Sequence, residues 1–357
     1  MPGLANGAAD LLDQPALDAP DATQAGLFDL TRTSGRLVAV GEHGVIITRD
    51  SPADRWQQRA VPISTTLTAV AFNDRGVGLA VGHDGVILRS TDNGDTWARV
   101  IDGRELFLPV IAVAKARLSL AERALSDAEA ASESDLGDYK YLVDDEAFRL
   151  ETAEQSLEYG PAWPLLDVAF AIDGSAWAVG AYGMVFRSPD GGETWELVSD
   201  RFDNTEDFHL NAILEARSGT LIVAGEAGLL FRSSNGGESF TRFDSYDGLS
   251  LFGLAQTDAF LIAYGFGDSA QVSVDDGETW EPLQLGEDYL LVGDMDLGDG
   301  RIGLLGSSGA LVSIGLGNPV DVARPTGTRF FLSGGVSQSS GDAVFTSEAG
   351  ILPSVEE

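Results

Sequence analysis

Arginine returns to one place in this chain. Arg89, Arg187 and Arg232 each close an apolar run and precede a serine, in Leu88-Arg89-Ser90, Phe186-Arg187-Ser188 and Phe231-Arg232-Ser233. Arg49 lies one step out of register, which puts it on the opposite face of an unbulged strand, and Val272 takes the place in a fifth copy. A guanidinium grips a carboxylate through paired, charge-assisted hydrogen bonds. The chain carries 22 Lys and Arg against 56 Asp and Glu, a net charge of −34. Cations placed by repetition in so acidic a molecule would suit a carboxylate terminus or an acidic segment of a partner. The plainer chemistry is that each arginine pairs with an acid of its own repeat.

After each of these positions comes a second set of reactive groups: Ser90-Thr91-Asp92-Asn93-Gly94-Asp95-Thr96-Trp97, Ser188 to Trp195, Ser233 to Phe240 and Ser273 to Trp280. A hydroxyl beside a carboxylate serves acid–base chemistry when it occurs once, in a unique constellation. Occurring four times, it reads as a turn. Asp or Asn and Ser bond back to the turn backbone, glycine supplies a positive φ, and the aromatic packs between neighbouring units. The residues assigned this architectural role are Ser90, Asp92, Gly94 and Trp97; Ser188, Asp190, Gly192 and Trp195; Ser233, Asn235, Gly237 and Phe240; Ser273, Asp275, Gly277 and Trp280. The motif resembles the Asp-box of the bacterial-neuraminidase-repeat superfamily. A degenerate copy lies around Asp50 to Trp56.

Other chemistry is thinly represented. There is no cysteine, so thiolate nucleophiles, disulfides and Cys-ligated metals are excluded, while the redox compartment stays open. The three histidines, His43, His83 and His209, lack ligand spacing, and the first two sit in turns. No nucleophile elbow or phosphate loop stands out. No catalytic residue, metal or cofactor is expected. A surface this acidic repels phosphate, which argues against nucleic acid and anionic lipid as partners. No apolar run reaches membrane-spanning length.

These groups are positioned by a repeat. Leu37 to Ile47, Gly78 to Leu88, Ala176 to Phe186 and Leu221 to Phe231 each read as an apolar run, a short turn ending in glycine and a second apolar run, the pattern of a buried hairpin. The anchors Gly41, Gly82, Gly180, Gly225, Gly265, Gly306 and Ser347 are spaced by 41, 98, 45, 40, 41 and 41 residues. A run before and a run after each hairpin make four strands per repeat, which predicts an all-β, seven-bladed β-propeller with Asp-box turns. The 98-residue gap holds one period plus an excess between Ile101 and Trp163. Leu106 to Ala131 and Tyr139 to Tyr159 are rich in Ala, Leu, Glu and Arg at helical spacing, with a turn at Ser132 to Asp138 and a stop at Gly160-Pro161. An α-helical hairpin is expected between the second and third blades, as an ornament or a docking arm. The expected organisation is an N-terminal extension, 1–25; blades one and two, 26–100; the helical insertion, 101–163; and blades three to seven, 164–357. The last repeat lacks a fourth strand, so residues around Leu11 to Leu17 are expected to complete it. Met1 to Asn6 has neither a basic nor an apolar signal region, so an export signal is expected to be absent or removed.

The Ala-Val-Gly-x-x-Gly-x-Ile/Val cores with their boxes, especially Leu79 to Trp97 and Ala178 to Trp195, resemble the photosystem II assembly and stability factor family, and more closely its relatives in non-photosynthetic bacteria. The resemblance spans nearly the whole chain outside residues 1–25 and 101–163. It implies a non-enzymatic assembly factor for a membrane-protein complex. It further implies an arginine patch as partner site, a periplasmic or otherwise extracytoplasmic location, and an exporter of the resistance-nodulation-division (RND) type as partner. A cytoplasmic location is the alternative. Two rival functions are weighed. One is a glycoside hydrolase of sialidase or xyloglucanase type. Phe186-Arg187-Ser188-Pro189 superficially matches a sialidase signature but sits inside a box repeat, and a xyloglucanase would carry two propellers. The other rival is a permanent structural subunit of an envelope complex.

Overall fold

The computed structural model describes residues 10–158, 160, 162–245, 247–338 and 342–355. The expected hairpins form, and they gather into antiparallel sheets in chain order. Four sheets have four strands each. The first comprises Leu27–Thr33, Arg36–Gly41, Ile46–Arg49 and Gln57–Gln58, and the second Leu67–Phe72, Gly78–Gly82, Ile87–Ser90 and Ala98–Ile101. The third comprises Leu165–Phe170, Ala176–Gly180, Val185–Ser188 and Glu196–Leu197, and the fourth Leu210–Glu215, Leu221–Gly225, Leu229–Ser233 and Thr241–Asp244. A six-stranded sheet follows, Leu251–Gln256, Leu261–Ser273, Glu281–Asp296, Ile302–Gly306, Leu311–Ile314 and Asp321–Ala323. Its long strand Glu281–Asp296 pairs with the preceding strand and, through Leu291 to Asp296, with the following one. The last sheet has three strands, Leu332–Ser337, Ala343–Ser347 and Gly350–Pro353.

The leading strands touch one another in chain order, with Glu281–Asp296 next to last, and Leu332–Ser337 touches Leu27–Thr33. That cyclic adjacency is a β-propeller. The anchor glycines are explained by it. A Cβ on Gly41 or Gly82 would collide with the carbonyl oxygen of Gly26 or Thr66, each just ahead of a leading strand, and one on Gly306 with that of Leu290, just ahead of the stretch of Glu281–Asp296 that pairs with the following strand. Two residues further on, the turn needs left-handed backbone twice in succession, as at His43 (φ 55°) and Gly44 (φ 70°), which suits the right-handed twist of the flanking strands. Each leading strand also slips register by one residue after the leucine paired with its anchor, a β-bulge in every sheet.

Three helices lie between the second and third sheets: α1 (Gly103–Leu106), α2 (Leu108–Ala130) and α3 (Gly137–Glu158). α2 and α3 pack on each other. Their base is part of the protein's core, since Leu106, Phe107, Ile111, Ala153 and Trp163 share one buried cluster with Leu79, Val81, Leu165 and Phe186. No helix among the described residues is long and apolar enough to cross a membrane.

The segment Leu11 to Leu17 does not complete the last sheet. Leu12 is buried among Val38, Val61, Ile63 and Trp97, Ala16 N donates to Val61 O at 3.0 Å, and Ser64 N donates to Leu11 O at 2.9 Å. An apolar notch between the first and second sheets captures this leucine, and the last sheet keeps three described strands. The following turn, Ala22–Gln24, contacts Gly350–Pro353 without pairing as a strand. Residues 1–9 and Pro161 of the expected stop lie outside the described residues.

Candidate interaction surfaces and the central channel

The four boxes are closed hydrogen-bond circuits. Ser188 Oγ donates to Asp190 Oδ1 at 2.8 Å and accepts from Gly192 N at 2.7 Å, while Asp190 accepts from Thr194 N at 2.8 Å and Thr194 Oγ1 at 2.7 Å. Ser90 and Asp92, Ser233 and Asn235, and Ser273 and Asp275 repeat the pattern. Burial opposes ionisation of Asp190, but the bonds from Thr194, Ser188 and Glu193 prevail and hold it at about 2. The bonds from Thr279 and Ser273 hold Asp275 at about 2 as well. Such carboxylates are spent on the turn.

The boxes also join sheets. A Cβ on Gly192, Gly237 or Gly277 would strike Leu79, Trp177 or Ile222, each in the preceding sheet and each three residues before an anchor glycine. Trp195, Phe240 and Trp280 fill the same seams and Trp97 the one between the first two sheets, and Phe240 meets Trp177 edge-on at 5.9 Å.

The arginines reach across these seams. Arg89 Nε donates to Gly191 O at 3.0 Å with Glu193 at 3.2 Å, and Arg232 Nε donates to Asp276 O at 2.9 Å with Glu278 at 3.5 Å. In both cases the acceptors belong to the box of the next sheet. Arg187 turns to Glu196 of its own sheet at 3.5 Å and lies 5.7 Å from the centre of the Trp177 ring. Arg201, which the repeat did not single out, donates to Gly237 O at 2.9 Å in its stead, and Arg36 donates to Asn93 O at 3.2 Å for the first seam. Arg49 stands apart, 4.9 Å from the centre of the Trp56 ring and bonded to Gln338 Oε1 at 3.1 Å. The structure therefore does not bring the four predicted arginines into one cluster of open cations; Arg89, Arg187 and Arg232 keep only 17–23% of their side chains exposed.

At the centre the leading strands enclose a channel cavity of about 380 Å³. Of the four aspartates that line it, Asp296 is exposed, and Asp29, Asp167 and Asp294 are half-buried. Asp29 accepts from Leu30 N and, across the seam, Val70 N, both at 2.7 Å; Asp167 accepts from Val168 N at 2.7 Å and, across the seam, Ile213 N at 2.8 Å. Asp294 accepts from Tyr264 Oη at 2.8 Å. These carboxyl groups are partly open to channel water yet ringed by protein. Burial raises all three, Asp167 to about 7 and Asp294 to about 6. At the bulges, Thr68, Asn211 and Ser333 donate across the seam to Leu165 O, Leu251 O and Leu27 O at 2.8, 2.8 and 2.7 Å. None of these channel residues had been picked out from the sequence. The available signal was a polar side chain set within an otherwise apolar leading run.

A second cavity, also about 380 Å³, is a groove between α2, α3 and the third and fourth sheets. Its floor is a row of rings, Trp163 to Tyr182 at 4.6 Å and Tyr182 to His209 at 5.0 Å, and the buried Phe107 backs Trp163 at 5.5 Å. Phe148 of α3 stands over it, 68% exposed. Arg149 bonds Asp207 and Asp145 and donates to Thr205 O at 3.1 Å, while Arg117 meets Asp207 at 3.4 Å; together they strap the helices to the loop ahead of the fourth sheet. Among the described residues no group of three or more potential metal ligands is assembled.

Residues 151–250 match the family model described as photosynthesis system II assembly factor YCF48. No curated protein sequence matches the chain. Among solved structures, YCF48 bound to D1 peptide is similar with a TM-score of 0.58 at 16% identity, covering 98% of this chain and all of that one. YCF48 from Cyanidioschyzon merolae is similar with a TM-score of 0.59 at 14% identity, covering 96% and 98%. The GH74 enzyme of Niastella koreensis is similar with a TM-score of 0.60 at 14% identity, covering 92% of this chain and 52% of its own. At these identities the likeness is one of fold.

Proposed function

We propose that this chain is a non-enzymatic accessory or assembly factor that holds a protein partner. The observation that carries the reading is the match of residues 151–250 to the YCF48 assembly-factor model. That stretch spans the end of α3 and the third and fourth sheets, which build most of the groove. The full-length likeness to a YCF48 structure bound to a peptide supports it.

In this reading the six-stranded sheet counts as two blades, giving a ring of seven. The seven buried clusters of the described residues support that count, because each fills one seam between neighbouring blades. α2 and α3 are an insertion between the second and third blades and serve as a docking arm. Arg89, Arg187 and Arg232 serve the ring first, since a partner carboxylate would have to displace the contacts they already make. The partner is a membrane-protein segment met outside the cytoplasm; an RND-type exporter is the partner that the sequence resemblance suggests.

A glycoside hydrolase is the second reading, favoured by the raised channel carboxyl groups and by the likeness to a GH74 enzyme. Against it, Asp29 and Asp167 each use both oxygens on backbone amides. The immobilised chain, challenged with detergent-extracted envelope proteins, should retain one membrane-protein subunit at a fixed molar ratio. Saturable turnover of chromogenic glycosides by the purified chain, with no such retention, would replace this reading by the second.

A further inference from the structure

We infer that the groove between the helices and the third and fourth sheets takes a basic side chain, lysine or arginine, carried on an apolar segment of the partner. The inference rests on the protein-binding reading above and adds the chemistry that the site selects.

Three observations converge. The floor of the groove is aromatic, and Tyr182 is 44% exposed while Phe148 overhangs it. Ring faces carry partial negative charge and attract cations, most strongly where water is excluded. The wall is acidic beyond its own needs. Both arginines of the wall are committed to Asp207, and Arg149 to Asp145 as well. That leaves Glu146, whose Oε2 is covered from solvent and has no hydrogen-bond partner among the described residues. Glu226 is only partly engaged beside the ring row, where its Oε2 accepts from His209 N at 2.8 Å and stands 3.2 Å from His209 Nδ1. A covered carboxylate oxygen without a donor is costly, and an incoming ammonium or guanidinium supplies the donor once the Glu146 side chain turns into the groove that it lines.

Occupants of other chemistry fit less well. An acidic segment would meet the carboxylates, and a purely apolar one would cover Glu146 further while leaving its oxygen unbonded. The volume, about 380 Å³ with an open side, suits one long side chain and its apolar neighbours on a backbone lying along the groove. Phe148 and Val113, both exposed on the helices, offer those neighbours apolar contact.

The probe is a set of four immobilised synthetic libraries of undecapeptides, apolar at the flanking positions and fixed at the centre as Lys, Arg, Leu or Glu. The full chain should be retained about 10-fold more by the Lys- and Arg-centred libraries than by the other two. The double variant Glu146→Gln, Glu226→Gln keeps the shape of both side chains and should lose that preference, with circular dichroism and melting midpoint unchanged. Phe148→Ala should weaken retention by all libraries. Equal retention whatever the central residue, a preference for Glu or Leu, no retention at all, or a Lys preference that survives the double variant would overturn the inference. The libraries judge the groove. Envelope capture judges the function: if the double variant still captures the membrane subunit while the libraries show no basic preference, the groove assignment falls and the assembly-factor reading stands.

Discussion

The aspartates show how one residue type is put to opposite uses. Asp190 and Asp275 accept several donors and ionise readily, near 2. Asp167 and Asp294 face the channel ringed by protein, and burial holds their protons up to about 7 and about 6. The signs of linkage follow. The box aspartates contribute stability above their unfolded value, lost only as pH falls towards 2. The channel aspartates contribute stability that is fully present below their unfolded value, near 4, and lost as pH rises through 6 to 7. The melting midpoint should therefore climb as pH falls from 8 to 5.5, and the climb should be shallower in Asp167→Asn. Parallel profiles for the two proteins would remove the channel from the explanation; lowered net charge steepens both alike. Arg232→Ala should cost about 1.5–3 kcal/mol in urea unfolding, because it frees the Asp276 carbonyl and the Glu278 carboxylate of the next box. A change below about 0.5 kcal/mol would mean that the arginine is an ornament of the surface. The boxes were legible in the sequence because four copies announce themselves. Arg36 and Arg201 were not, since they do the same work from positions that the repeat does not share.

At the scale of elements, the helices were readable from composition, and their bounds shifted by only a few residues. What composition does not carry is where their apolar side goes. Phe107 and Leu106 have no periodic mark that separates them from the rest of α1 and α2, yet they are buried in the seam between the second and third sheets. Excising residues 104–160 behind a Gly-Ser bridge would therefore uncover that seam. We expect it to lower the melting midpoint by more than 10 °C, given a loss of several buried side chains at roughly 1.5–3 kcal/mol each. Replacing only 119–150 keeps Phe107, Ile111, Ala153 and the Lys115–Glu154 pair at 2.8 Å. That shorter arm should fold with a small loss, mostly from Arg149. Equal midpoints for both deletions in a scanning fluorimetry comparison would show that the helix base is not core.

The whole molecule depends on tying each blade to the next, round to the start. The period of about 41 residues made the ring legible from the sequence, whereas its closure was not. A missing fourth strand invites the N-terminus to supply one, but Leu12 instead fits a notch between the first two sheets, and apolar burial outweighs two or three ladder bonds. The circle is closed by side chains. Ser333 Oγ donates to Leu27 O at 2.7 Å, Arg32 Nη2 donates to Ser337 O at 2.9 Å, and Val344 packs among Leu27, Leu37 and Ile47. A rigid recognition surface requires that last seam to hold like the others. Hydrogen–deuterium exchange of the leading strands tests this most directly, in the intact chain and in Ser333→Ala. A closed ring predicts that Leu27–Thr33 is protected as well as Leu165–Phe170, and that Ser333→Ala speeds exchange in Leu27–Thr33 and Leu332–Ser337 together. Fast exchange of Leu27–Thr33 in the intact chain, or an effect of Ser333→Ala confined to its own strand, would contradict the closed ring.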